Sequence, residues 1–397
     1  MNKKNQNIYE KPLPHKEEFF PFKGIYFNAG VQHPASKGCV KAAQNYLNYK
    51  GFHESSDYDP LISRRNVLNL YAKLINADVN EIAYVQSTTV GENLLLQALD
   101  IVNKGGQVIT DDLHYFGSYQ IYGELKKQGV DVITLRSKNG SVDLEQYEKA
   151  ISEKTTLVAV SSVSTFNGFQ HDLKELCKLA HSKGALVYAD SIHHIGATPF
   201  DVKDSNVDFC SAGSFKWLMA DQGLGFLYVK KDVLSKLKRP WYGKRQIKSL
   251  TTHVFPGDEI TADENVYEYE LENTTEGYFS IWSEPRIVVA QLEYSLKYIL
   301  NVGVDRITEY RQPFLKHLQD ELPKLGFKAL TPKGSITPLL AYEFKDAAKI
   351  LGPILKEHNI LASLYKGHFR IALSVYNDMA DVERFIDVLK MVPQDIE

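Results

Sequence analysis

The sequence predicts an α/β protein: a large domain with a mostly parallel sheet sandwiched by helices, followed by a smaller α+β C-terminal domain. Three observations carry this expectation. Between Leu61 and Val229, short continuous apolar runs alternate with helical patterns, as strands buried on both faces do. The 397 residues are 44% hydrophobic and 24% charged, an ordinary globular composition with enough length for a large core. After a long helical stretch, Glu284 to Val302, the alternation stops and the pattern becomes helix, strands and a last helix. The expected boundaries are an N-terminal segment 1–60, a large domain 61–302 and a small domain 303–397.

Taken in order, a helix over Leu61 to Ala77 carries Leu61, Leu68, Tyr71, Leu74 and Ile75 on one stripe. Strand IAYVQ starts at Ile82, and a helix from Val90 follows, capped by Ser87, Thr88 or Thr89. Strand QVIT, a helix from Tyr119 to Gln128 and strand DVITL come next. The pair Asp143 and Gln146 has capping-box spacing and opens another helix. Strand TLVAVSSV, a helix over Asp172 to Lys183, and strands ALVYAD and GFLYV complete the large sheet. In the C-terminal part, PLLAYEF and FRIALSV read as strands, and the last helix starts at Asp378.

Composition excludes several classes. A net charge of −3 does not favour nucleic acid or an acidic membrane surface. No run approaches the roughly 20 apolar residues that cross a bilayer, and the N-terminal stretch has no apolar leader core, so a cytoplasmic protein is expected. Cys39, Cys177 and Cys210 show no CxxC spacing, which argues against a disulfide framework or a metal centre; Cys177 falls on the apolar stripe of its helix. Two charge blocks stand out. Lys230 to Lys248 holds eight basic residues, and Gly257 to Glu276 holds eight acidic ones. Because they cancel, they read as paired loops rather than a polyanion site.

The chemistry gathers at the ends of the expected strands. Ser87, Thr88 and Thr89 open a helix after IAYVQ; His114 and Tyr115 follow QVIT; Ser164, Thr165 and Asn167 follow TLVAVSSV; Asp190 ends ALVYAD. Lys216 sits in SAGSFKWLMADQGLGFLYV, with Ser211 and Ser214 before it and Gly223 and Gly225 after it. Each piece alone has an ordinary reading: a solvated lysine, a helix cap, a turn-capping aspartate. Open α/β sheets, however, bind ligands at the carboxyl ends of their strands. Pyridoxal 5′-phosphate (PLP) needs these residue types together. A lysine forms the Schiff base, a carboxylate meets the pyridinium nitrogen, a helix N-terminus cradles phosphate, and an aromatic ring lies on the cofactor.

With those residues in view, the chain resembles fold type I PLP enzymes of the class V aminotransferase superfamily, the group of cysteine desulfurases and isopenicillin-N-epimerase-like proteins. SFKWLMADQGLGFLYV resembles the lysine motif, and FRIALSVYNDMADVERF resembles the C-terminal motif. The resemblance implies Lys216 as the catalytic, Schiff-base lysine and Asp190 as partner of the ring nitrogen. It implies His193 at the phenolic oxygen, joined by Thr165 or by Asn167 in its stead. Thr88, Thr89, Ser211 and Ser214 would serve the phosphate, and Tyr115 or its rival His114 would stack on the ring. Arg370 would clamp the substrate α-carboxylate, with Asn28 and His33 in the pocket. Thr275 would reach the phosphate from the partner subunit of a homodimer with shared sites. Residues 1–60 would join the substrate pocket to the small domain.

The stretch HNILASLYKGHFR before Arg370 holds no cysteine, which disfavours a persulfide-forming desulfurase. Transamination of an α-amino acid is the expected activity; elimination at Cβ by a C–S lyase, or epimerisation, starts from the same proton removal. A catalytically silent PLP-fold partner protein fits less well, because Lys216, Asp190 and Arg370 are all present. A nucleotide-binding oxidoreductase lacks its GxGxxG turn.

Overall fold

In a computed structural model, the described residues are 11–52, 58–250 and 269–392. Seven strands form the large sheet: β1 (Ile82–Val85), β2 (Gln107–Asp111), β3 (Asp131–Leu135), β4 (Thr155–Ser161), β5 (Leu186–Asp190), β6 (Phe209–Gly213) and β7 (Gly225–Val229). Their order is β1-β7-β6-β5-β4-β2-β3. The sequence pattern finds six of these seven strands and misses β6; the sheet is mostly parallel as expected, with β7 antiparallel to both neighbours. The reason is the length of its connection. A parallel return needs a crossover of a dozen or more residues, usually a helix. Residues 214–224 form a tight loop instead, so β6 and β7 make a hairpin with Lys216 in its turn.

Because β7 runs backwards, its start lies at the edge where the other six strands end. Val85, Gly213 and Gly225 meet there, as do Ser161, Asp190 and Ser211 in register. One sheet edge thus collects every strand-end residue named above.

Helices cover both faces. On one, Val67, Leu68 and Tyr71 pack over the sheet with Leu173, Leu176, Cys177 and Leu292. Tyr71 stacks on Phe226 with ring centroids 3.8 Å apart, a contact worth about 0.5–1.5 kcal/mol beyond burial. On the other face, Leu94, Leu95, Leu99 and Tyr122 pack against Leu157, Ala159 and Leu227. Several helix starts differ from expectation, and for two of them a side-chain cap sets the start. The first begins at Pro60, where Asp59 accepts from Leu61 N–H and Ile62 N–H, and it stops at Leu74. The helix expected from Val90 begins at Thr88 behind the Ser87 cap, and the one expected from Tyr119 begins at Phe116. The long helix runs Arg286–Val302, after Pro285.

The C-terminal part has its own four-stranded antiparallel sheet, in the order Lys328–Ala329, Leu339–Glu343, His368–Ala372, Ser363–Leu364. Its core holds Phe314, Leu340, Phe369 and Phe385, and Phe27 of the N-terminal segment packs into it. That segment also pairs Ile25–Tyr26 in parallel with Ile360–Leu361. His33 N–H donates to the carbonyl of Phe215 at 2.9 Å, tying it to the Lys216 turn. Part of the basic block meets part of the acidic one in this chain: Ile247–Leu250 pairs antiparallel with Tyr269–Leu271, and Lys248 reaches Glu270 at 3.4 Å. Most of the acidic block, and the N-terminal ten residues, lie outside the described residues.

Candidate active site

Lys216 is buried, 9% exposed, in the β6–β7 turn. Burial, then the nearby charge of Arg370, lowers its pKa from 10.5 to about 7, against the pull of Asp190. That shift disfavours the ammonium by on the order of 5 kcal/mol. His193 Nε2 lies 2.9 Å from Lys216 Nζ. Trp217 Nε1–H donates to His193 Nδ1 at 3.3 Å. An indole nitrogen can only donate, so Nδ1 is the bare nitrogen and Nε2 carries the proton. Burial holds His193 neutral, its pKa well below the usual imidazole value. The His193 proton therefore points to a neutral Lys216 amine or to Thr165 Oγ1, which is 3.1 Å from the same nitrogen.

Asp190 ends β5 and is 3% exposed. Its carboxylate accepts from Ile192 N–H at 3.1 Å. Burial raises its pKa to about 6, opposed first by the charge of His114. His114 is itself buried. Its Nδ1 is 2.8 Å from Ser161 Oγ and its Nε2 is 3.3 Å from Glu92 Oε1. Tyr115 N–H donates to the same Ser161 Oγ at 3.1 Å. Both ring nitrogens of His114 are engaged, whereas the Tyr115 ring is only partly buried and feels the charge of Asp190.

Thr88 and Thr89 form the first turn of helix Thr88–Leu99, whose Ser87 cap accepts from Val90 N–H at 3.2 Å. Thr88 is buried and Thr89 exposed. The unpaired N–H groups of such a turn favour an anion. Ser211 Oγ lies 2.6 Å from Tyr188 OH, and Ser214 Oγ donates to backbone carbonyls of its own loop, Asp221 and Leu224. Both serine hydroxyls thus have partners within the fold. Thr275 is 1% exposed, and its hydroxyl has no hydrogen-bond partner among the described residues.

Arg370 reaches across from the small sheet. It donates to the Thr165 carbonyl, to Thr165 Oγ1 at 2.9 Å and to Ser363 Oγ at 3.2 Å, while its Nε is buried without a partner among the described residues. Ser363 in turn donates to Asn28 Oδ1, so Asn28 stands one hydrogen bond behind Arg370. His33 Nε2 is 2.8 Å from Ser374 Oγ, and its ring packs on Phe19 and Tyr376. Burial lowers its pKa to about 4. Asn167 does not stand in for Thr165: its amide donates to the carbonyls of Gly140 and Leu330 and braces a loop instead.

The sequence reading misses Glu92. It is 2% exposed and accepts from Ser118 Oγ at 2.7 Å and Tyr122 OH at 2.5 Å, besides facing His114. A signal existed: a lone carboxylate in TTVGENLLLQAL, four residues after Thr88 and so on the same helix face. Cys39, Cys177 and Cys210 are all buried free thiols. Burial pushes the Cys39 thiol up to about 11 and raises the other two further. Among the described residues no three His, Cys, Asp or Glu side chains gather as metal ligands.

Comparison with known proteins gives the chain's family and fold. Over 389 residues the chain is 28% identical to an uncharacterized aminotransferase of Schizosaccharomyces pombe, covering 96% of this chain and 93% of that one. The apo structure of a cysteine desulfurase from Thermococcus onnurineus superposes with a TM-score of 0.80 at 22% identity, over 93% and 94% of the two chains. A cystine C–S lyase in complex with its product, cysteine persulfide, gives 0.82 at 18% identity, over 93% and 98%. At these identities the two structures speak for the fold. The aminotransferase class-V family matches residues 63–385, from the helix Pro60–Leu74 to the last helix, and the chain belongs to that family.

Proposed function

We propose that this protein is a PLP-dependent aminotransferase of α-amino acids, with Lys216 as its catalytic lysine. Membership of the family makes it a PLP enzyme of amino-acid chemistry. The observation that carries the residue assignment is the buried, neutral amine of Lys216, held at 2.9 Å by His193 and within the field of both Asp190 and Arg370. The residues fit the cofactor. A buried carboxylate, Asp190, waits at a strand end, the Thr88 turn offers free N–H groups, and the orphaned hydroxyl of Thr275 lacks the acceptor or donor that a phosphate supplies. When bound, the cofactor supplies an electron sink for negative charge at the substrate Cα.

The chain's own residues do the rest. Lys216 Nζ is the base, since only a neutral amine can take the Cα proton. Asp190 holds the ring nitrogen protonated. His193 and Thr165 donate toward the phenolic oxygen. Tyr115 covers the ring, because the nitrogens of His114 are already engaged. Thr88, Thr89, Ser211 and Ser214 shape the phosphate end, the threonines through hydroxyls, Ser214 through the loop it braces and Ser211 through its bond to Tyr188. Arg370 holds the α-carboxylate through its forked donors, with Asn28 behind it through Ser363, and His33 lines the pocket from its contact with Ser374. Residues 61–302 bind the cofactor, 303–397 carry Arg370, and 1–60 join the two. A homodimer with shared sites, in which Thr275 meets the partner's phosphate, completes the reading, and three free thiols suit the reducing cytoplasm.

The test is a panel of α-amino acids with a 2-oxo acid acceptor, read by mass spectrometry. Transfer of the amino group to the acceptor supports the reading. Release of ammonia with loss of the Cβ substituent shows a lyase, and inversion at Cα without transfer shows an epimerase. A protein that takes up no PLP ends it.

A further inference from the structure

Around His114 the fold buries more negative charge than it balances. Asp111, Glu92 and Asp190 come from two strand ends and a helix, and all are 3% exposed or less. Asp111 has its own partners: His171 Nε2 at 3.2 Å and Tyr147 OH at 2.6 Å. Lys216, whose charge also acts on Asp190, is only about half protonated at neutral pH because burial lowers its pKa to about 7. Two buried carboxylates, Glu92 and Asp190, are left with His114 between them. An unpaired buried carboxylate is costly, so a positive imidazole is the arrangement this pocket favours. The contacts accept it: Ser161 Oγ at 2.8 Å and Glu92 Oε1 at 3.3 Å can each take an N–H from His114.

We propose that Glu92 is a positioning residue of this site: through its contact with His114 it keeps a positive charge beside Asp190, so that Asp190 stays ionised where it meets the ring nitrogen. The last clause rests on the cofactor reading above; the Glu92–His114 pair does not. Glu92 is itself held by Ser118 and Tyr122 from the helix Phe116–Lys127, which fixes its carboxylate against the His114 ring. Burial alone would lower the His114 pKa. The hydrogen bond and charge of Glu92, then the charges of Asp190 and Asp111, outweigh it and raise the value above that of ordinary histidine. The groups that face this pair are therefore Asp111, Ser161, Tyr188 and Asp190 from the sheet, Ser118 and Tyr122 from the helix, and Lys216 from the turn.

The experiment is a pH titration of ring-¹⁵N histidine signals in the full-length protein, with PLP bound and after its removal. The bound cofactor's ring nitrogen is ¹⁵N-labelled in the first case. In the wild type, the His114 midpoint should lie above the ordinary histidine value of 6.5. In Glu92→Gln, which keeps the shape and removes the charge, its midpoint should fall by about one pH unit or more, and the ring nitrogen should lose protonation at lower pH. Glu92→Asp should recover most of both. An unchanged His114 midpoint in Glu92→Gln overturns the proposal. So does a wild-type His114 that is neutral at pH 6.5, a reading that stands even if the variant does not fold. A wild type that binds no PLP but shows the expected His114 titration overturns the cofactor reading and the role at the ring nitrogen, and leaves the charge pair.

Discussion

On the proposed reading Lys216 concentrates the chemistry, because a buried amine near a guanidinium cannot keep its proton cheaply. With a pKa of about 7, about half of it is free amine at neutral pH, against about one in 3,000 for an ordinary lysine. Borohydride should therefore trap the cofactor on Lys216 alone, and Lys216→Ala should lose turnover while still taking up PLP loosely; peptide mapping checks the first, steady-state kinetics the second. The same shift has a stability consequence in the cofactor-free protein. Folded Lys216 releases its proton near pH 7 and the unfolded residue near 10.5, so between those values the unfolded state binds more protons and stability from this group rises with pH. Lys216→Met should accordingly gain most over the wild type at pH 7 and below, and the gap in denaturation midpoint should close toward pH 10. A constant gap would show an amine that is not buried in solution. For Arg370, exchange for lysine keeps the charge but loses the fork that reaches Thr165 and Ser363. Losing one charge-assisted bond costs roughly 1.5–3 kcal/mol, so kcat/KM for α-amino acids should drop about tenfold to a hundredfold. Reaction with a simple amine lacking a carboxylate should be unchanged; equal loss of both would make Arg370 structural.

At the scale of elements, the β6–β7 hairpin does what no single residue does. It returns the chain so that Lys216 projects at the edge where Asp190 and Ser161 end their strands. The turn is held from three sides. His33 N–H reaches the Phe215 carbonyl, Trp217 reaches His193, and Gly196 packs under the backbone of Trp217. Gly196 has a φ of +84°, and a Cβ there would lie 2.7 Å from the Trp217 carbonyl oxygen. Both the left-handed backbone and the close approach require glycine. Gly196→Ala should destabilise the fold by about 1–3 kcal/mol and shift the Trp217 ring away from His193. Thermal denaturation and Trp fluorescence would show this; a variant with wild-type melting and spectrum would mean the loop adapts freely.

The whole molecule completes the site in ways that one domain cannot. Arg370 comes from the small sheet and contacts Thr165, which follows β4 of the large sheet, and Arg311, fully buried, donates to the Ala197 carbonyl and lies 5.7 Å from the Trp217 ring. Thr275 has a buried hydroxyl without a partner among the described residues, and the proposed homodimer would place it at the other subunit's phosphate. On that proposal activity should fall when the protein is diluted below its dimer dissociation constant, and Thr275→Val should weaken PLP binding several-fold while leaving the fold intact. A monomer with full activity would contradict it.

What the sequence determined by itself is local: strand runs, caps and the polar residues that end strands. Asp190 was legible as a candidate because a polar residue at the end of an apolar strand stands out without knowledge of its neighbours; Thr88 stood out at a helix start, Lys216 in a small polar turn, and Arg370 only through the resemblance of its motif. The capping pair Asp143 and Gln146 was legible for the same reason. The tertiary structure decided everything that depends on which distant residues meet. The direction of β7 followed from a loop too short to cross over. Asn167 was claimed by Gly140 and Leu330, from two remote loops. Glu92 became a partner of His114 only because two helices packed on one sheet face, burying a carboxylate that sequence alone would place in water. Burial also set the charge states. The amine of Lys216, the ring of His193 and the carboxylate of Asp190 all titrate away from their ordinary values, because the fold removes the water that would otherwise solvate them.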